Sequence, residues 1–239
     1  MTTPLLEIDG VSKRFGGFLA LNRVTLHVMP GERFGLIGPN GSGKTTLINC
    51  ISGSLPADGG RIVFDGREIT GLPAHRRTRL GIVRSFQIPK PFSSMTVLQN
   101  LEIPLEYAAH ERADVADADA MEILRAIGLQ SKAHLRPAGL TQIEMRKLEL
   151  ARAMAARPKL LISDEAMAGL SSAEVDDILA ILFRLNERGI TIIMIEHIMR
   201  AVMRFSERIV VLDAGERIAE GPPEEIVRNP DVERAYLGE

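Results

Sequence analysis

The sequence predicts an α/β fold, because short apolar segments with the pattern of buried strands alternate with apolar residues at helical spacing. Residues 33–37 and 159–163 are such segments, and a helical pattern follows each of them. Residues 190–195 are apolar almost throughout, which is typical of a central parallel strand covered on both faces. With 239 residues, 45% of them apolar, the chain is long enough to bury a large core.

Charge and cysteine content narrow the class of protein. The formal net charge of −2 argues against a nucleic-acid-binding protein, and we expect no nucleic-acid partner. Cys50 is the only cysteine, so no intramolecular disulfide can form and a reducing compartment is expected. We expect neither a secretory signal nor a membrane span, because no apolar run approaches the roughly 20 residues that a spanning helix needs.

The N-terminal part of the chain predicts an antiparallel layer. Residues 5–11 and 24–28 alternate apolar and polar side chains, as half-buried antiparallel strands do. Residues 61–64 form a further strand pattern, and Asp65-Gly66 after it is a hairpin-turn sequence. We therefore expect an antiparallel β layer beside the strand at residues 33–37.

The middle of the chain is predicted to be helical. No strand pattern stands out between residues 87 and 157, and breaker residues lie at both ends of this region. Helical spacing covers three stretches, residues 97–107, 117–127 and 140–156. The predicted division is a core made of residues 1–87 and 158–239, with residues 88–157 as an inserted helical subdomain.

Three further segments complete the elements. Residues 81–86 have a strand pattern, and residues 208–212 and 217–219 flank a turn, which predicts a hairpin.

The basic cluster at residues 75–79 is expected to be a solvent-exposed helix face. Contact with phosphate or lipid headgroups is the alternative for that cluster.

A phosphate-binding loop follows the strand at residues 33–37. The segment GPNGSGKT fits G-x-x-x-x-G-K-[ST] and lies between a predicted strand and a predicted helix. Its glycines let backbone N–H groups surround a phosphate, Lys44 reaches the β- and γ-phosphates, and Thr45 offers a hydroxyl to Mg²⁺. The candidate nucleotide-binding residues of the loop are Gly38, Pro39, Asn40, Gly41, Ser42, Gly43, Lys44, Thr45 and Thr46.

Polar side chains follow three other predicted strands. Asp164 and Glu165 follow residues 159–163, Gln87 follows residues 81–86, and His197 follows residues 190–195. Open α/β sheets bind ligands at the carboxyl edge of their strands, where these side chains would meet. Asp164 would hold Mg²⁺ through water, and Glu165 would orient or deprotonate an attacking water. A structural role remains the alternative for Gln87 and His197.

Over its full length the chain resembles the ATPase subunit of an ATP-binding-cassette (ABC) transporter. GPNGSGKTT resembles the Walker A loop, SFQ the Q-loop, LLISDE the Walker B strand and IEH the switch-histidine segment. The resemblance implies a P-loop NTPase core of ABC type that binds ATP and Mg²⁺. Implied catalytic residues are Glu165, His197 and Lys44, and implied metal-site residues are Thr45, Gln87 and Asp164.

The resemblance also implies partners. The tail NPDVERAYLGE and the segment FGGFLAL resemble the subgroup that serves branched-chain amino-acid importers. Members of the family work as sandwich dimers on membrane permeases, so we expect permease subunits, a second cassette chain and an extracytoplasmic solute-binding protein. The expected location is the cytoplasmic face of the plasma membrane. Phe15 is a candidate for stacking on adenine, and a core aromatic is the alternative.

The signature motif departs from the family. At the place of LSGGQ stand Leu140, Thr141, Gln142, Ile143 and Glu144. Ile143 replaces the glycine whose backbone approaches the partner chain's ATP. We expect its branched side chain to obstruct that approach and to disfavour glycine-only dihedral angles. We therefore expect a heterodimer in which the other chain supplies an intact signature. A homodimer that tolerates this variation is the alternative.

Two other functions stay open at this point. One is a non-transport ATPase with the same cassette fold. The other is a regulatory subunit that binds nucleotide and turns it over weakly, which the residue at position 143 favours.

Overall fold

The computed structural model describes residues 3–85, 89–109 and 113–237. Its strands are β1 Leu6–Phe15, β2 Phe18–Val28, β3 Arg33–Ile37, β4 Gly59–Phe64, β5 Arg67–Glu68, β6 Ile82–Ser85, β7 Leu160–Asp164, β8 Thr191–Ile195, β9 Arg208–Asp213 and β10 Glu216–Gly221. Within the described residues they form a four-stranded sheet of order β2-β1-β4-β5 and a six-stranded sheet of order β10-β9-β3-β8-β7-β6. The first sheet is antiparallel, and the second is parallel except for β10. The predicted α/β class with an N-terminal antiparallel layer is confirmed.

The helices cover both faces of the larger sheet. They are α1 Lys44–Ser52, α2 Ala74–Leu80, α3 Gln99–Tyr107, α4 Ala113–Ile127, α5 Gln142–Ala155, α6 Ser172–Glu187, α7 Met199–Phe205, α8 Pro223–Ile226 and α9 Pro230–Leu237. Between β6 and β7 the described chain is helical, with α3, α4 and α5 and two short 3₁₀ turns. No helix in the described ranges is both long and apolar enough to cross a membrane.

Side chains of the central strands alternate between two apolar cores. On β8, Ile192 and Met194 join the core that includes α3 to α7, whereas Ile193 and Ile195 face the core shared with α1 and the antiparallel sheet. All five residues of β8 are buried. The apolar run therefore has the cause expected from the sequence, because successive strand residues point to opposite faces and both faces are covered.

The N-terminal strands are longer than the alternating pattern predicts. β1 continues to Phe15 and β2 starts at Phe18, so the two strands form one hairpin. The hairpin predicted at Asp65-Gly66 is present, since β4 pairs with β5 across these two residues. Both turn residues have positive φ, 51° and 72°, as a type I′ turn requires.

One residue of the basic cluster at 75–79 is buried, contrary to the expectation of a solvated helix face. Arg77 on α2 is only 2% exposed. Its guanidinium donates to the carbonyl oxygens of Cys50 and Ile51 at 2.6 and 2.8 Å, and to those of Thr70 and Leu72. The carbonyls at the end of α1 have no partner within the helix, so Arg77 satisfies them and opposes the negative end of the helix dipole.

We predict that Arg77→Met lowers the free energy of unfolding by about 2–4 kcal/mol, because buried carbonyl groups lose a charged donor. Urea unfolding measures this. Arg76→Met is the matched control, since Arg76 is the exposed neighbour on the same helix. Equal stability of the two variants would contradict the role given to Arg77.

Candidate active site

The phosphate-binding loop joins β3 to α1 and is shaped by close backbone contacts. Gly38 has φ +148°, and a Cβ there would lie 2.0 Å from the carbonyl oxygen of Leu212. Gly43 precedes α1 with φ +100°, and a Cβ there would lie 2.7 Å from the carbonyl oxygen of Ala20. Only glycine fits both positions, and the resulting turn places the loop at the positive end of α1.

Lys44 is buried and folded back onto the loop. Its Nζ donates to the carbonyl oxygens of Gly38 and Pro39 at 2.8 and 2.9 Å. Burial lowers the pKa of Lys44, while the carboxylates of Glu165 and Asp164 oppose that shift. A phosphate is a stronger partner for an ammonium group than a neutral carbonyl, so Lys44 can exchange these bonds for phosphate oxygens.

A cavity of about 270 Å³ lies over the loop. It brings together the loop, the aromatic side chains of the first hairpin, Glu165 and His197. Phe15 is 49% exposed and Phe18 is 64% exposed, so neither is a core aromatic. The sequence reasoning had not selected Phe18. The lining residues are Phe15, Phe18, Ala20, Asn40, Gly41, Ser42, Gly43, Lys44, Thr45, Thr46, Glu165 and His197.

Glu165 and His197 form a hydrogen-bonded pair at the carboxyl ends of two neighbouring strands. His197 Nε2 lies 2.8 Å from Glu165 Oε1. The backbone N–H of Glu165 donates to the carbonyl oxygen of Ile195 at 2.9 Å, which ties the end of β7 to that of β8. The backbone of Glu165 has φ +47°, which is energetically unfavourable for any residue other than glycine. The pair can orient a water molecule and accept its proton.

Asp164, the residue before Glu165, is paired with an arginine that the sequence reasoning missed. Arg84 on β6 donates to Asp164 Oδ2 from Nε at 3.1 Å and from Nη2 at 2.5 Å. Arg84 Nη1 also donates to Asn49 Oδ1 on α1 at 2.6 Å. Arg84 thus links the acidic strand end to the helix that follows the phosphate loop. The available signal was a single basic residue inside an apolar strand pattern.

The donor chemistry of the described residues fits Mg²⁺. Thr45 offers a hydroxyl in the cavity, and Asp164 offers a carboxylate at the end of β7. Among the described residues, no three His, Cys, Asp or Glu side chains are grouped to hold a metal ion. Mg²⁺ is commonly held by one or two protein oxygens together with substrate phosphates, which suits this pair. Gln87 lies outside the described residues.

Glu196 is a buried carboxyl group next to this pair and was also not selected from the sequence. It is 3% exposed, and its Oε1 accepts the backbone N–H of Met167 at 2.9 Å. Burial, with a smaller contribution from the carboxylate of Glu165, raises the pKa of Glu196 to about 7. Because the folded protein holds this proton more tightly than the unfolded chain, stability depends on pH.

We predict that the free energy of unfolding falls by on the order of 3 kcal/mol as pH rises from 4.5 through 7, because the Glu196 proton is lost. The stabilisation is full below the unfolded pKa and disappears above the folded one. Glu196→Gln should flatten this slope while its amide oxygen still accepts from Met167. Urea unfolding at several pH values measures it. Glu187→Gln, at an exposed position, should keep the wild-type slope. An unchanged slope in Glu196→Gln would refute the assignment.

The segment aligned with the signature lies at the start of α5, outside the cavity lining. Thr141 caps the helix, since its Oγ1 accepts the N–H of Glu144, and Glu144 Oε2 accepts the N–H of Thr141 at 2.8 Å. Ile143 lies within α5 and is not among the residues with positive φ. The expected dihedral conflict at Ile143 is therefore wrong, because this backbone is helical and β-branched residues adopt helical angles.

Glu144 places a negative charge at this helix start. Lys132 Nζ lies 2.7 Å from Glu144 Oε2. This hydrogen bond, together with that from the Thr141 N–H, lowers the pKa of Glu144. Two N–H groups at the start of α5, those of Thr141 and Glu144, are thus satisfied within the chain by an ionised carboxylate and a hydroxyl.

Two family models match the chain. The ABC transporter model matches residues 21–168. A second model, described as branched-chain amino acid ATP-binding cassette transporter, matches residues 216–239.

Characterised relatives are similar over the whole chain. The high-affinity branched-chain amino acid transport ATP-binding protein BraF of Pseudomonas aeruginosa is 40% identical, with full coverage of both chains. LivG of Escherichia coli K12, which has the same description, is also 40% identical with full coverage of both. The probable LivG of Archaeoglobus fulgidus is 39% identical over 98% of this chain and 95% of its own.

Solved structures agree with this relationship. MJ1267, an ATP-binding cassette of an ABC transporter, is 33% identical with a TM-score of 0.89 over 98% of this chain and 99% of its own. Its ADP conformation is 32% identical with a TM-score of 0.87 over the full length of both chains. The chain therefore belongs to the ABC transporter family, as one of its ATP-binding and ATP-hydrolysing cassettes.

Proposed function

We propose that this cassette powers a membrane importer of branched-chain amino acids or related small solutes. The proposed ATPase activity rests on one observation: the hydrogen-bonded pair of Glu165 and His197 lines the same cavity as Lys44. The substrate class is supported by the full-length relatives and by the match at residues 216–239. The proposed location is the cytoplasmic face of the plasma membrane, peripheral to the permeases.

In the proposed mechanism, the phosphate loop holds and orients the triphosphate. Backbone N–H groups of residues 38–46 and the start of α1 supply the positive electrostatic potential, and Lys44 moves from the loop carbonyls to the β- and γ-phosphates. Phe15 and Phe18 lie at the exposed side of the cavity, which supports Phe15 as the residue that stacks on adenine.

Glu165 acts on the attacking water in this proposal. Its carboxylate accepts the water proton or orients the water towards the γ-phosphorus, and His197 keeps that carboxylate in place through their hydrogen bond. When bound, Mg²⁺ supplies positive charge to the phosphate oxygens. Thr45, Asp164 and Gln87 are the proposed residues around it. Arg84, on the neighbouring strand β6, positions the Asp164 carboxylate.

The helical region offers the proposed docking site for the permeases. We treat residues 88–157 as a subdomain inserted between the core segments 1–87 and 158–239. A mostly apolar groove of about 420 Å³ lies along this boundary and includes Phe92, Ile103 and Arg152. Arg152 lies 5.1 Å from the ring centroid of Phe92, so one wall combines an aromatic face and a cation. Such a groove fits a short helix of a permease.

The proposed partner cassette is a different chain, so the working ATPase is a heterodimer. This chain contributes a complete phosphate loop with Glu165 and His197. At the start of α5, where family members receive the partner's ATP, its own signature segment has Ile143 in place of glycine. A branched side chain at this position obstructs the approach of a γ-phosphate to the backbone, which supports a weak or silent second site. An extracytoplasmic solute-binding protein completes the proposed assembly.

A regulatory subunit that binds nucleotide and turns it over weakly is the second candidate function. Ile143 at the start of α5 favours it, because a cassette whose signature is obstructed by a branched side chain can still bind nucleotide in its own loop. The effect of replacing the Glu165 carboxylate on ATP turnover distinguishes the two functions.

We predict that Glu165→Gln in the assembled transporter lowers ATP turnover at least about 100-fold, because the general base is lost. Bound ATP should then persist and keep the dimer together. Phosphate release and size-exclusion chromatography with labelled ATP measure both effects. Glu187→Gln is the exposed control and should behave as wild type. Unchanged turnover in Glu165→Gln would favour the regulatory function over the enzyme.

We predict that the purified chain alone hydrolyses ATP slowly, and that Ile143→Gly with Glu144→Gln raises this rate roughly tenfold or more. The double change removes the branched side chain and the negative charge, and Gln preserves the capping box. Glycine in the first turn costs ~1 kcal/mol, so thermal unfolding is measured alongside. Glu174→Gln alters the equivalent capping box of α6 and controls for effects of the cap. Fast cooperative hydrolysis by the unmodified chain would overturn the heterodimer proposal.

A further inference from the structure

The C-terminal helix reaches the phosphate loop through one hydroxyl group. The backbone N–H of Gly38, the first residue of the loop, donates to the phenolic oxygen of Tyr236 at 3.0 Å. Tyr236 lies on α9, at the opposite end of the chain. A donor at the start of the loop is therefore satisfied by a side chain rather than by the strand ladder.

The helix that presents Tyr236 is anchored at both its start and its inner face. Asn229 precedes α9, and its Oδ1 accepts the backbone N–H of Asp231 at 2.9 Å, which is an N-cap followed by proline at the first helical position. Val232 is buried in the core shared with α7 and β9. The hydroxyl of Tyr236 is thus held by a fixed helix rather than by a mobile tail.

Gly38 is hydrogen-bonded to both Tyr236 and Lys44. Its N–H goes to Tyr236 and its carbonyl oxygen accepts Lys44 Nζ at 2.8 Å. Its backbone is pressed against the end of β9, since a Cβ would lie 2.0 Å from the carbonyl oxygen of Leu212. When Lys44 turns to a phosphate, Gly38 loses one of its two anchors, and the bond to Tyr236 remains.

We propose that Tyr236 is a positioning residue for the phosphate loop: its hydroxyl fixes Gly38 in the orientation that Lys44 and the following N–H groups need to receive the triphosphate. This proposal rests on ATP binding at the loop. It assigns a role to the segment matched at residues 216–239, which contains no other hydroxyl-bearing side chain. Burial of the hydroxyl also raises the pKa of Tyr236, so it remains a neutral acceptor at physiological pH.

Tyr236 also borders the helix that follows His197. Together with Met199 and Met203 of α7 it lines a cavity of about 440 Å³. A single side chain therefore contacts the phosphate loop and lines a cavity with the helix that follows the switch segment. A shift of α7 that accompanies nucleotide exchange would alter the surroundings of the Tyr236 ring.

The composition of the chain makes this testable by spectroscopy. It has two tyrosines and no tryptophan. Tyr107, the other tyrosine, is 68% exposed on α3. In Tyr107→Phe the tyrosine emission comes from Tyr236 alone, and in Tyr236→Phe it comes from Tyr107 alone. The two variants are matched in chemistry and differ only in which hydroxyl is removed.

The experiment measures MgATP binding by calorimetry and tyrosine emission by titration in the wild type and both variants. Tyr236→Phe should weaken binding about three- to tenfold, the effect of one neutral hydrogen bond, whereas Tyr107→Phe should bind as wild type. In Tyr107→Phe the emission should change saturably at the same MgATP concentrations. In Tyr236→Phe the emission of Tyr107 should change only through absorption of light by the nucleotide. Thermal unfolding of all three proteins checks that they are folded.

Wild-type affinity in Tyr236→Phe, or a Tyr236 emission that ignores MgATP, would overturn the proposal. Absence of MgATP binding by the wild-type chain would instead contradict the nucleotide site itself, so the two failures are distinguishable.

Discussion

Three parallel strands that end at one edge of the larger sheet decide where the chemistry takes place. β8 lies between β3 and β7, so the residues after it stand between the phosphate loop and the acidic strand end. The register pairs Asp164 with Ile195, and the N–H of Glu165 continues that pairing to the Ile195 carbonyl. His197, two residues further, therefore meets Glu165 without any special loop geometry. The Glu165–His197 pair is a consequence of strand order.

That arrangement crowds carboxylates, and each is accommodated differently. Asp164 is held by the guanidinium of Arg84, and Glu165 by the imidazole of His197. Glu196 has a backbone N–H as its partner and lies in the most buried position, so it retains its proton to higher pH. Because Arg84 also borders the groove beside α3, the acidic site and the proposed permease surface share one side chain. A change in the groove would therefore reach Asp164 directly.

Local patterns in the sequence predicted the strands, the phosphate loop and the acidic strand end, because each depends on neighbours along the chain. The apolar run of β8 and the Asp65-Gly66 turn are examples. Contacts between distant residues were not predictable in this way. Arg77 looked like one member of a basic helix face, and only the end of α1 packed beside it explains its burial. Ile143 was expected to meet a glycine-type backbone, whereas capping by Thr141 makes that backbone helical.

In the proposed heterodimer, the start of α5 is the reason why a cassette with a complete phosphate loop would depend on a second chain. The N–H groups of a helix start can be satisfied within the chain or by a phosphate from outside, and both cannot use the same donors. Here Thr141 and Glu144 take the inner option, and Lys132 balances the charge of Glu144. This capping box does not use the N–H groups of Gln142 and Ile143, so the proposed obstacle to a partner's triphosphate is the branched side chain of Ile143. At the phosphate loop the situation is the opposite. Lys44 donates to the neutral carbonyl oxygens of Gly38 and Pro39, which phosphate oxygens can readily replace. In the proposed heterodimer, the same chain would therefore receive ATP at its own phosphate loop and offer little to the partner's ATP at its signature segment.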